Sequence, residues 1–112
     1  MRKCAGRKAK FGEINPQTCV EQWRRMYPSA TAANVAADIG APIRTVENWL
    51  NGPSVPSLRW LGRIISVYGP EFLAEVMVNP PEWLIAAKRA ALRERLEREI
   101  QELEQEIARA AL

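Results

Sequence analysis

Helix breakers fall at short intervals along this chain, and their spacing limits what it can fold into. Pro16, Pro28, Gly40-Ala41-Pro42, Gly52-Pro53, Gly69-Pro70 and Pro80-Pro81 separate stretches whose apolar residues recur every three or four positions. Proline cannot continue a helix, and glycine readily takes the left-handed turn that ends one, so each break marks a helix boundary. No stretch alternates apolar and polar residues as a strand would, and there is no internal repeat. The expected fold class is all-α.

Each interval can be read as a helix with an inward face. Asn15 is placed to cap the first, with Pro16 at its first position and Val20, Trp23, Met26 and Tyr27 at helical spacing. Thr31 is expected to cap a short second helix that turns Val35, Ala36 and Ile39 inward and stops at Gly40. A third begins around Pro42 and buries Val46, Trp49 and Leu50 before Asn51-Gly52-Pro53. Ser57 is expected to cap a fourth, with Leu58, Leu61, Ile64 and Ile65 facing in. Gly69-Pro70 should break it and start a fifth with Phe72, Leu73, Val76 and Met77 on its apolar side. Beyond Asn79-Pro80-Pro81, residues 82–112 contain no Gly or Pro. One helix of about 30 residues, roughly 45 Å long, fits there. The expected organisation is a basic arm over 1–14, a helical domain over 15–78, a proline linker over 79–81 and a helix over 82–112.

Composition narrows the function classes. With 112 residues, 47% hydrophobic and 26% charged, the chain should build one core. It contains no His, which removes the usual general base and the commonest metal ligand. Cys4 and Cys19 have no partner residues to complete a zinc site and make a poor disulfide framework, so a reduced, cytoplasmic setting is expected. No uncharged run is long enough for a membrane span, and Met1–Lys10 leads into no apolar signal core. No phosphate-binding loop or activated nucleophile stands out. An enzyme, a cofactor, a metal, a membrane partner and a small-molecule ligand are therefore not expected. The charge is uneven: up to Val67 there are ten basic residues against four acidic, and from Pro70 onward six against nine. A polyanion should meet the N-terminal two-thirds, including the arm residues Arg2, Lys3, Arg7, Lys8 and Lys10.

The segment Thr31–Gly52 carries the most specific signal. A turn of two or three residues after Gly40 forces the flanking helices to cross steeply. With Val46, Trp49 and Leu50 inward, Arg44, Glu47, Asn48 and Asn51 point outward, and Arg44 and Asn48 project side by side. Arginine matches the two major-groove acceptors of guanine, and asparagine can pair in bidentate fashion with adenine. Arg59 and Arg63, four apart on the fourth helix, are candidates for phosphate contact, as are Arg24 and Arg25.

These residues resemble the lambda-repressor-like, Cro/XRE-type helix-turn-helix family over roughly Asn15–Val78. The likeness rests on the order Val35-Ala36-x-x-x-Gly40, Val46-x-x-Trp49-x-x-Gly52, Pro56-Ser57 and Leu61-x-x-Ile64. It implies a five-helix DNA-binding domain followed here by a long helix. It also implies that Ile43, Arg44 and Asn48 face base edges, while Thr31, Thr45, Asn51 and Ser57 cap helices or hold phosphates. The loop Asn51-Gly52 is similar to one that contacts the DNA backbone in several phage repressors. Pro42 stands where the family usually has a small polar cap, and Glu47 puts an acid on the DNA-facing side. Glu47 would have to meet a cytosine amino group or restrain Arg44, and Ile43 either touches a thymine methyl or closes the core.

The last helix carries a second pattern. Leu92, Leu96, Ile100, Leu103, Ile107 and Ala110 form a continuous apolar seam flanked by Glu97, Glu99, Glu104 and Glu106. Basic residues cluster early on this helix and acidic ones late, so two copies are expected to pair antiparallel, as a dimer or within a tetramer; the alternative is a single helix folded back on its own domain. The family resemblance and the seam together imply a bacterial or phage transcriptional regulator, associated with the nucleoid, that binds double-stranded DNA as a dimer or tetramer. A two-fold dimer would place half-sites about 34–36 Å, or a multiple of that, apart. Two other readings fit the same features: a phage DNA-packaging recognition subunit, and an adaptor that keeps the fold but binds protein.

Overall fold

A computed structural model describes residues 12–112, and the arm residues Arg2, Lys3, Arg7, Lys8 and Lys10 lie outside them, as does Cys4. Among the described residues the protein is all-helical: α1 (Pro16–Met26), α2 (Thr31–Ile39), α3 (Ile43–Asn51), α4 (Leu58–Val76) and α5 (Glu82–Ala110). Two helices expected around Gly69-Pro70 run end to end as α4, which kinks at Gly69 (φ 76°, ψ −169°). Only glycine takes that conformation without strain, and Pro70 next to it has no N–H to donate across the kink. The break is where the sequence puts it, but the chain resumes a helix at once and needs no loop.

The caps are formed partly as expected. Asn15 accepts from the backbone N–H groups of Gln17 (2.9 Å) and Thr18 (3.3 Å), and Pro16 opens α1. Gly40 ends α2 in the left-handed conformation and Gly52 does the same for α3. Thr31, by contrast, is not the cap of α2. Ala30 takes that position at φ 53°, and Thr31 is buried with its hydroxyl donating to the Tyr27 carbonyl at 2.6 Å. The left-handed turn at Ala30 carries the threonine one position into the helix and points it back at α1. Ser57 does precede α4, but its side chain makes no capping bond.

The core is aromatic. Trp23, fully buried on α1, stacks between Trp49 of α3 (6.1 Å between ring centroids) and Phe72 of α4 (5.8 Å). Cys19, Val35, Ala36, Ile39, Val46, Ile64 and Val76 pack around them. The inward face of α4 differs from the expected one. It is centred on Ile64, flanked by Trp60, Leu61 and Tyr68, while Leu58 is 85% exposed and Ile65 lies at the surface. At about 100° per residue, Leu58 and Ile65 fall on the edge of a stripe that Trp60 and Tyr68 pull the other way. Met26, at the last turn of α1, is also exposed.

The two ends of the domain are tied together. Gly12, Glu13 and Asn15 exchange backbone hydrogen bonds with Val76 and Val78 at 2.7–2.9 Å, so the end of the stretch read as an arm belongs to the domain. The first half of α5 folds back on the second half of α4. Leu84 is buried against Leu73 and Ala74, Lys88 pairs with Glu75 (3.2 Å), and Arg95 grips both oxygens of Glu71 (2.8 and 3.0 Å). From Arg93 onward every residue of α5 is exposed. None of the described helices is long and apolar enough to cross a membrane.

Candidate nucleic-acid interface

The pair α2–α3 is joined by Gly40-Ala41-Pro42. Three backbone bonds shape the corner: Ala41 to the Ala36 carbonyl (3.0 Å), and Thr45 and Val46 to the Pro42 carbonyl (3.0 and 3.4 Å). Pro42 starts α3 in an extended conformation without a side-chain cap. Val46 and Trp49 are buried, and their positions on the helix fix which side of α3 faces water.

That outer side holds Ile43, Arg44, Glu47, Asn48 and Asn51, all exposed, with Ile43 at 49%. The structure thus brings the three base-reading candidates, Ile43, Arg44 and Asn48, onto one face. Ile43 does not close the core. Thr45 is half-buried at the side of the same helix. Asn51 sits in the last turn of α3, just before Gly52. A shallow open groove runs between this face and the start of α2, where Ala32 and Ala33 keep the wall low and Arg24 lies at the rim. Arg24 also donates to the Leu50 carbonyl at 3.4 Å.

The other phosphate candidates are placed differently. Arg63 donates from Nη1 to the carbonyls of Ile39 and Gly40, both at 3.2 Å, and its guanidinium lies 5.1 Å from the centre of the Trp60 ring. It satisfies orphan carbonyls at the C-terminus of α2, where the helix dipole is negative. Arg59 stacks on the same indole at 5.2 Å. Trp60 in turn packs edge-on against Trp49 of α3. Thr31, already bonded to Tyr27, is turned inward, and Ser57 is exposed at the head of α4.

One cluster has no counterpart in the sequence reading. Asp38 of α2 accepts from Tyr27 at 2.6 Å and from Tyr68 of α4 at 2.9 Å through the same oxygen. Burial, then the bond to Asp38, pushes the Tyr68 phenol far above its ordinary value; for Tyr27 the bond to Asp38 is the main cause of a rise. The signal was slight: the single acid of α2, and tyrosines far apart in sequence. Burial also pushes the Cys19 thiol up to about 11, so it stays protonated and inert. Among the described residues no group of acidic or cysteine side chains could hold a metal ion.

Chemically, the α3 face offers one cation, two amides, one carboxylate and a large apolar side chain on a rigid helix. Such a set can read donors, acceptors and a methyl group along an edge. No protein-family model, curated protein or solved structure matches this chain.

Proposed function

We propose that this protein is a sequence-specific DNA-binding regulator of bacterial or phage type, built on a lambda-repressor-like helix-turn-helix. In this reading α3 enters the major groove. Arg44 reaches guanine, Asn48 reaches adenine, and Ile43 lies against a thymine methyl. The observation that carries it is the clean division of α3, with Val46 and Trp49 buried and Ile43, Arg44, Asn48 and Asn51 exposed beside a tight Gly40 corner. Asn51, Thr45, Ser57 and the exposed Arg59 would meet phosphates, and the arm residues Arg2 to Lys10 would track the backbone or the minor groove. The protein would act on the nucleoid as a dimer or tetramer, its copies joined through α5.

Selection from a randomised duplex pool tests this, with the Arg44→Ala, Asn48→Ala double variant in parallel. The expected result is an enriched inverted repeat that the variant fails to recover. Absence of any enriched motif with a folded protein would sink the reading. It would favour a second one, a protein-binding adaptor, for which the half-exposed Ile43 next to Glu47 and the single cation on α3 speak.

A further inference from the structure

The second half of α5 extends roughly 25 Å past Arg95, the last residue that pairs with α4. Along it run Leu96, Ile100, Leu103 and Ile107, with Ile100 54%, Leu103 58% and Ile107 68% exposed. A lone amphipathic stretch of this length is marginal in water, so its helicity needs a cover.

The charges say what the cover is. From Lys88 to Arg98 there are five basic and two acidic residues, and from Glu99 to Ala110 four acidic and one basic. This order owes nothing to the helix dipole, which acts within the first and last turns, where Glu82 and Arg109 already suit it. The nearest intrahelical pair, Arg95 with Glu99 at 3.9 Å, has the less favourable order of base before acid. The arrangement does not serve the isolated helix. A second copy lying antiparallel sets a segment of net +3 against one of net −3 and opposes the two dipoles as well.

We infer that the α5 seam is covered by the α5 of a second copy, antiparallel and overlapping along its full length about Arg98. In this register Leu96 of one copy meets Ile100 of the other, and Leu103 and Ile107 rest among Ile85, Leu92 and the stems of Arg89 and Arg93. Those two arginines reach Glu104 and Glu106 of the other copy. Arg98 lies on the far side of the helix from the seam, so it does not meet its own copy. The alternatives set like charges together. A parallel pair opposes Arg93 to Arg93 and Glu99 to Glu104. An antiparallel pair centred after Gln101 matches Ile100 with Leu103 but opposes Glu97 to Glu104 and Glu99 to Glu106.

This inference deepens the oligomeric half of the proposed function and is measured without DNA, so either can fail alone. The test is sedimentation equilibrium of the full chain at low and high salt. A dimer whose dissociation constant rises with salt is expected. Glu104→Arg with Glu106→Arg should weaken it roughly tenfold, counting two sites in each of two symmetric contacts. Adding Arg89→Glu and Arg93→Glu to the same chain should restore it. A merely destabilised helix would not be rescued by two further substitutions. A monomer at the highest soluble concentration, a dimer that tightens with salt, or a four-fold variant no better than the two-fold one would each overturn the inference.

Discussion

Replacing Asp38 by alanine removes the one acceptor shared by both tyrosines of the chain. The bonds join the end of α1, the last turn of α2 and the centre of α4. A hydrogen bond to a charged group contributes about 1.5–3 kcal/mol. Tyr27 lies on the more open side, where water recovers part of its loss, and alanine gains about 0.5 kcal/mol of helix propensity over aspartate. A net loss of about 2–3 kcal/mol follows, which in a domain of this size lowers Tm by roughly 10–20 °C. Thermal unfolding followed by circular dichroism reads it. The same network predicts an alkaline signature. A phenol held neutral in the fold but free to ionise in the unfolded chain makes the unfolded state bind fewer protons above pH ~10. Its stabilisation is whole below that pH and is lost as pH climbs toward the folded value. Tyr68 alone then takes away about 1.4 kcal/mol per pH unit, with a smaller share from the better-solvated Tyr27. Because these are the only tyrosines, phenolate absorbance reports nothing else. Ionisation should coincide with unfolding in the native protein and come earlier in Asp38→Asn. Two phenols titrating at pH ~10 in a protein still folded, with Asp38→Ala costing under ~0.5 kcal/mol, would refute the reasoning.

Arg63→Ala should destabilise the domain by about 1–2 kcal/mol, since it strips the end of α2 of its cation and leaves two carbonyls without a side-chain donor. If Arg63 serves α2 rather than phosphate, the salt dependence of DNA binding should keep its slope; a slope reduced by about one would show otherwise. Gly40→Ala is expected to cost at least ~1 kcal/mol, because φ is +71° and the new Cβ would lie 3.2 Å from Arg63 Nη1; denaturant unfolding decides it. Arg44→Ala should cost about 1–3 kcal/mol for a site carrying the right base, yet leave Tm unchanged, as its side chain is exposed.

What the sequence made legible was whatever depends on near neighbours. Breakers located every helix, because proline and glycine act within one turn of where they stand. The buried stripes of α2 and α3 followed from periodicity, since Val35, Ile39, Val46 and Trp49 have no competing apolar face. On α4 periodicity was not enough: Leu58 and Ile65 compete with Trp60 and Tyr68, and only packing against Trp49 and Trp23 decides which face turns in. The outward set on α3 was legible for the same reason that its inward set was. The roles of Thr31 and Arg63 were not, because each depends on a partner from another helix. A left-handed Ala30 aims the first at Tyr27, and the second reaches across 23 and 24 residues of chain to the carbonyls of Gly40 and Ile39.

Those long-range contacts converge on one element. α2 is as long as α3, nine residues each, and it exposes no base-reading candidate of its own, yet it is held at both ends. Thr31 bonds back to Tyr27, Asp38 draws in Tyr27 and Tyr68, and Arg63 closes on Ile39 and Gly40. Since α3 follows after a corner made of Gly40, Ala41 and Pro42, fixing α2 fixes the angle at which α3 is presented. Trp60 extends the same clamp, lying under Arg63 on one side and against Trp49 of α3 on the other. Substitutions in this clamp should therefore shift binding for all sequences together, through the pose of α3, whereas those at Arg44 and Asn48 should act base by base.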